Sequence, residues 1–267
     1  MKGKKYVNYA LVGLLVVAAF IIGSLYTKNK ALEQGKTLGT QQNQQDTATQ
    51  QQNAAKPPAI TIDKIKDTFS NSLVKFGDTN KKVIFIDIAD PSCPYCQIAA
   101  GQNPQLNKEA GSRFTLVADG GTYIAPVPEM KKLVAEGKAA YAFLYSPGHG
   151  NGEMGTKALY CAFELGKYWE VHDKLMSAEG YSLMNENIRN DKSKSKDLAA
   201  FLANAVSAND MQKCLDSGKY DDRLQKDMTL ASNLGVQGTP GFFINATAYA
   251  GAYSFKDMQA VVDSALK

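Results

Sequence analysis

Cys93-Pro94-Tyr95-Cys96 places two thiols three residues apart, where the apolar run KKVIFIDIAD (residues 81–90) gives way to helix-compatible sequence. In a first helical turn the leading sulfur faces unpaired backbone N–H groups and the positive end of the peptide dipoles, and both favour a thiolate. The thiolate is the nucleophile of thiol–disulfide exchange. Pro94 suits an early helical position, where its missing N–H is not needed. Cys96, one turn on, can close a ring with Cys93 or resolve a mixed disulfide. The spacing therefore predicts that Cys93 attacks and Cys96 resolves.

Other uses of the pair fit less well. A zinc ribbon needs a second close pair, whereas Cys161 and Cys214 follow after 64 and 52 intervening residues. A purely structural bridge across so small a ring would restrict little chain. His149 lies in the glycine-rich SPGHGNG and His172 on an apolar helical face beside Trp169, with no acid cluster at ligand spacing; both read as structural. GHGNG lacks the GK[ST] ending of a phosphate loop. The sequence implies no metal and no organic cofactor.

The elements that must hold these thiols can be read coarsely. ITIDKIKDTFSNSLVKFG (residues 60–77) suggests a short strand and then a helix, and KKVIFIDIAD ended by Pro91 reads as a buried central strand. A helix follows from Cys93. FTLVADGG reads as a strand and turn, PEMKKLVAEG as a helix with Gly137 at its end, and KAAYAFLYSP as another strand. From residue 150 to about 232 the apolar positions keep helical spacing, so this stretch is expected to be a helical subdomain. Strand character returns in GFFIN and TAYAGAY, before a closing helix over residues 255–266. Strand, helix and strand recurring on both sides of a helical block predict one α/β sheet domain with an insertion. The segment FTLVADGGTYIAPVPE (residues 114–129) either borders the substrate groove or adds an edge strand.

DPSCPYCQ after an apolar strand, ALYCAFELGKYWEVHDKLM, CLDSGKYDDRLQKD and LGVQGTPGFFIN, in this order, resemble the DsbA-like thioredoxin-fold disulfide oxidoreductases, including the BdbD type. The resemblance covers roughly residues 80–265. It implies an α/β thioredoxin-like fold with an inserted helical subdomain. By position, Thr239-Pro240 looks like the cis-proline loop that faces the dithiol in that family. The Thr239 backbone would then pair with an extended substrate strand, and Pro94 and Tyr95 would flank the substrate and tune the ring's redox poise. Asp87, six residues before Cys93, matches the place of a buried acid that relays a proton from Cys96; the alternative is a strand carboxylate that faces solvent or caps a neighbour. Cys161 and Cys214 each fall on an apolar helical face. Relatives carry such a pair, and the reading is a structural disulfide, with two buried free thiols as the alternative. The family also implies a membrane quinone-linked reoxidase of the DsbB or VKOR type.

Ahead of this body, Lys2, Lys4 and Lys5 precede an uncharged run at residues 6–27 that, as a helix, is long enough for the roughly 30 Å apolar core of a bilayer. No A-x-A cleavage pattern follows it. The expectation is an uncleaved signal anchor over residues 1–27. The flanking lysines favour a cytoplasmic N-terminus and a single pass through the cell membrane, with the catalytic domain extracytoplasmic. Residues 28–58, with TQQNQQDTATQQQNAAKPP, lack the apolar side chains needed to offset ordering and read as a Gln-rich disordered tether of roughly 30 Å reach. Residues 59–267 form the folded domain. Seven lysines against Glu33 and Asp46 in residues 1–57 account for +5 of charge, so residues 58–267 carry −1 of the total +4. That body lacks the basic excess of a nucleic-acid binder.

Together these readings predict a membrane-anchored thiol–disulfide oxidoreductase that introduces disulfides into unfolded or reduced secreted proteins. Its rivals are an isomerase or reductase using the same dithiol, and a redox-inactive thioredoxin-fold chaperone or scaffold.

Overall fold

Residues 60–267 are described by a computed structural model of the chain; the expected anchor (1–27) and tether (28–58) lie outside the described residues. Among the described residues no helix is long and apolar enough to cross a membrane. The described residues open with α1 (Ile62–Asn71) and then β1 (Val74–Phe76), the reverse of the expected strand-then-helix order. Thr61 Oγ1 accepts from the Lys64 amide at 3.3 Å and caps α1, whose Ile65 and Phe69 are buried one turn apart. A capped start with i, i+4 burial outweighs the short β-like stretch at ITI.

β2 (Val83–Ala89) is buried at all seven positions. It is followed by α2 (Pro94–Ala100), α3 (Pro104–Glu109) and α4 (Pro126–Ala135). The strand expected at FTLVADGG is absent. Ser112–Phe114 and Val117–Asp119 are short 3-10 turns, and an isolated bridge between Leu116 and Tyr123 closes the segment on itself. Val117 is 56% exposed, so the alternation buries too little to form a strand. Gly121 folds back so closely that a Cβ there would lie 2.0 Å from the Thr115 carbonyl oxygen. After α4, Gly137 takes φ +70°, and the amides of Gly137 and Lys138 close the helix on Val134 and Leu133 at 2.9 Å each.

β3 (Ala139–Tyr145) runs parallel to β2, with Phe85 opposite Tyr141 and Asp87 opposite Phe143. A run of helices follows: α5 (Glu153–Glu164), α6 (Tyr168–Leu175), α7 (Ala178–Ser182) leading into a π turn at Leu183–Ile188, α8 (Ser195–Phe201), α9 (Ala208–Asp216) and α10 (Asp221–Asn233). β4 (Gly241–Ile244) and β5 (Thr247–Ala250) then complete the sheet, and α11 (Phe255–Leu266) closes the chain. Strand order is β1-β3-β2-β4-β5, with only the β2–β3 pair parallel.

Alternation along β2 sorts its side chains onto two cores. Ile84, Ile86 and Ile88 pack with Ile65 and Phe69 of α1 and with Ala231 of α10. Val83, Phe85 and Ala89 face the larger cluster, which holds Cys93, Cys96 and residues of α4, α5, α6, α8, α9, α10 and α11. The dithiol therefore sits at the end of the central strand, on the face covered by the helical block.

Candidate active site

Cys93 caps α2 in an extended conformation, with φ −78° and ψ 127°, and Pro94 takes the first helical turn. The Cys93 amide donates to Asp90 O at 2.9 Å and its carbonyl accepts from the Gln97 amide at 3.1 Å. Both sulfurs are free thiols and nearly enclosed, at 4% and 2% residue exposure for Cys93 and Cys96. The Cys93 thiol donates to the Thr239 carbonyl at 3.5 Å across 146 residues of sequence. Thr239-Pro240 is a cis peptide bond, and it carries this carbonyl to the dithiol. The Asp90 amide donates to Cys96 Sγ at 3.4 Å.

These neighbours push the two thiols in opposite directions. Cys93 is lowered from 9.0 to about 6, first by the hydrogen bond from Cys96, against the opposing effect of burial, with smaller lowering from Thr239 and the amides of Cys96 and Tyr95. Cys96 is raised, first by burial and then by its bond to Cys93 and the charge there. One thiol is thus ionised near neutral pH while its partner holds a proton. That is the asymmetry a nucleophile and a resolving group require.

Asp87 is buried on β2 and accepts from Tyr141 Oη at 2.7 Å, while its other oxygen has no partner. Burial raises its carboxyl from 3.8 to about 6, against lowering by Tyr141 and by the charge of His172. Its hydrogen bond goes to Tyr141, and the amide on Cys96 comes from Asp90. His172 is buried too, with Nδ1 3.0 Å from Asp173 Oδ1 and its ring stacked near Tyr168.

Tyr95 is 47% exposed, its ring 5.9 Å from that of Phe114. Tyr95, Arg113, Phe114, Tyr123, Thr239 and Tyr253 line a cavity of about 530 Å³ beside the dithiol. The 114–129 segment therefore borders this cavity instead of adding an edge strand. Away from the site, Cys161 of α5 and Cys214 of α9 form a disulfide with Cα atoms 6.0 Å apart.

The family profile Thioredoxin_4, described as thioredoxin, matches residues 128–264, just over half of the sequence. The chain belongs to this thioredoxin family. Solved structures with the same fold include oxidised BdbD from Bacillus subtilis, at 14% identity and TM-score 0.53 over 78% of this chain and 96% of that one. Wolbachia pipientis alpha-DsbA1, in a double-cysteine variant, gives 20% identity and TM-score 0.56 over the same shares. The thiol-disulfide exchange protein alpha-DsbA2 of that organism gives 21% and 0.52 over 76% and 95%. Among curated proteins, the Na(+)/H(+) antiporter NhaA 3 of Salinispora tropica is 24% identical over 189 residues, 71% of this chain. The match spans only 24% of the antiporter's length, and the same share of a second antiporter, from Salinispora arenicola.

In this thioredoxin-family chain, sequence reasoning singled out Cys93, Cys96, Pro94, Tyr95, Thr239 and Pro240, and the fold brings all six to one corner. It missed Asp90, Ser92, Tyr181 and Asn185. Asn185, from the π turn, donates through Nδ2 to Ser92 O at 3.1 Å. The Tyr181 phenol is raised first by burial and then by the charge of Cys93. The D-P-S turn before Cys93 was the one sequence signal for Asp90 and Ser92; Tyr181 and Asn185 had none.

Proposed function

We propose that this chain is a protein thiol–disulfide oxidoreductase that introduces disulfides into reduced secreted proteins. The observation that carries the reading is the opposite displacement of the two thiols, with Cys93 lowered to about 6 and Cys96 raised. In the oxidised enzyme a substrate thiolate attacks Cys93 Sγ. The Cys93–Cys96 bond breaks, its electron pair goes to Cys96 Sγ, and that sulfur takes up a proton. A second substrate thiolate then attacks the substrate's own sulfur in the mixed disulfide, and Cys93 leaves as a thiolate. The substrate loses two electrons and the enzyme gains them. Stabilising the departing thiolate favours this direction.

Thr239 O, within hydrogen-bond reach of Cys93, is suited to pair with the backbone of an extended substrate without reading its side chains. Asp87, buried and raised to about 6 but bonded to Tyr141, is assigned to proton exchange by the family resemblance alone. The uncharged run at residues 6–27 supports a membrane anchor, and the polar tract to residue 58 a tether that presents the domain outside the cytoplasm. Turnover then requires an oxidant, for which the family resemblance supplies a membrane quinone-linked reoxidase of the DsbB or VKOR type. Equilibrating the full chain in graded glutathione buffers and counting thiols at Cys93 and Cys96 tests the direction. A potential near about −120 mV is expected for an oxidase, whereas a value below about −200 mV would make it a reductase or isomerase. A folded chain that exchanges no thiols would be a scaffold.

A further inference from the structure

Asp90 is fully buried at the junction of β2 and α2, and none of the steps above uses its carboxylate. Oδ1 accepts from the Ser92 amide and hydroxyl, both at 2.7 Å. Oδ2 accepts from the amides of Gly148 and His149 at 2.8 and 3.0 Å, with that of Gly150 at 3.4 Å. These last three lie in the loop between β3 and α5, so one side chain ties together segments almost 60 residues apart. Its main chain belongs to the dithiol itself, through the bonds to Cys93 and Cys96 described above.

The loop it holds is a wall of the site. A Cβ on Gly148 would lie 1.8 Å from Thr239 Oγ1 and 3.1 Å from Cys93 Cβ, so the Gly148 backbone touches both residues that face an incoming substrate. A Cβ on Gly152 would fall 1.8 Å from Asp90 Oδ1. Ser92 extends the tie, its Oγ accepting from the Asn151 amide at 3.1 Å and Asn151 Nδ2 donating to Asn185 Oδ1 at 3.1 Å. Five donors satisfy a carboxylate that no cation among the described residues pairs, which offsets the cost of burying it. Every bond its side chain accepts comes from the Ser92 turn or from the loop at Gly148–Gly150, and none from a sulfur. The contribution of Asp90 is therefore geometric.

We infer that Asp90 is a positioning residue for peptide substrates: by holding Gly148 against Cys93 and Thr239 it fixes the gap between the Cys93 sulfur and the Thr239 carbonyl. An extended peptide must fit that gap with its sulfur and backbone together, whereas a small thiol needs only the sulfur. The inference rests on the oxidoreductase reading and deepens it.

The test compares the oxidised full chain with its Asp90→Asn and Gly148→Ala variants, measuring rates of reaction with a reduced cysteine-containing peptide and with glutathione at one pH. Asp90→Asn turns an amide group toward donors and frees the loop; Gly148→Ala keeps the carboxylate and displaces Thr239. Both should lose about tenfold or more with the peptide but only about two- to threefold with glutathione, since misplacements of this kind penalise the substrate that needs alignment. An equal loss with both thiols, or an unchanged peptide-to-glutathione ratio, overturns the inference. Should Asp90→Asn fail to fold, Asp90→Glu, which keeps the carboxylate but moves it off the Gly148 and His149 amides, decides by the same ratio. A wild-type chain that reacts with neither thiol overturns the oxidoreductase reading and this inference with it, whereas an active wild type with an unchanged ratio in the variants overturns this inference alone.

Discussion

Cys93 and Cys96 are neighbours in sequence and remain thiols, whereas Cys161 and Cys214, 53 residues apart, are joined. Burial does not explain the difference, because Cys161 is as inaccessible as Cys93 and Cys96, and its partner Cys214 is partly exposed yet bonded. What differs is the company each keeps. The first pair sits where a strand ends and a helix begins, among amides and a carbonyl brought in from residue 239. The second lies between α5 and α9 in the apolar cluster with Ala158, Ala162 and Met211. Donors around a sulfur make it reactive, and an apolar seat makes a bond between sulfurs inert.

Cys93→Ser breaks this comparison most directly. It should lower exchange with a reduced peptide by about a thousandfold or more, because a serine hydroxyl does not replace the thiolate. The double variant Cys161→Ala with Cys214→Ala should keep the wild-type exchange rate, measured in the same assay. A comparable loss there would mean that the second pair takes part in turnover. The double variant should instead lose stability, by about 4 kcal/mol in the chain-entropy account of a loop of this length, read from urea unfolding.

At Asp87 burial outweighs a single donor, as it does at Cys96. Asp87 is as buried as Cys93 but has one hydroxyl donor, and its carboxyl is raised from 3.8 to about 6. A raised carboxyl stabilises the fold fully below its unfolded value, and that stability is lost as pH climbs through about 6. Asp87→Asn should therefore raise stability by about 3 kcal/mol at pH 8 and by almost nothing at pH 4. Denaturant midpoints at the two pH values measure the difference; a gain of equal size at both would rule out titration as its cause.

The smallest effect falls within the first pair. Cys93 is lowered from 9.0 to about 6, so the reduced fold gains stability as pH rises from 6 toward 9 and loses it as pH falls through 6. At pH 7 the gain over acid conditions is about 1.4 kcal/mol, and the oxidised chain, with no Cys93 thiol to titrate, should lack it. Parallel unfolding of both redox forms between pH 5 and 8 checks the sign. Alkylation should label Cys93 with a midpoint near pH 6 and leave Cys96 unlabelled there.

Much of the frame was legible in the residues. VIFIDIA and AAYAFLY are continuous apolar runs, as strands buried on both faces must be, and Gly137 stops α4 because its left-handed backbone suits that residue. Two local readings failed where weak signals competed. A threonine cap turned the first segment into a helix, and the backbone contact of Gly121 on Thr115 folded FTLVADGG into turns. The dithiol of the candidate site was legible as well, since Cys93 and Cys96 are paired by a spacing written in four residues.

Sequence by itself determined the dithiol, its place at a helix start, the central strands and the Thr239-Pro240 match, because each depends on residues adjacent in the chain. Tertiary structure alone decided that Thr239 meets Cys93, that Cys161 finds Cys214, and that Asp90 reaches across to Gly148. Each of these contacts joins residues more than 50 positions apart. A hydrogen-bonding or sulfur group carries no mark of its distant partner; only the packing of the sheet against the helical block brings the two within reach.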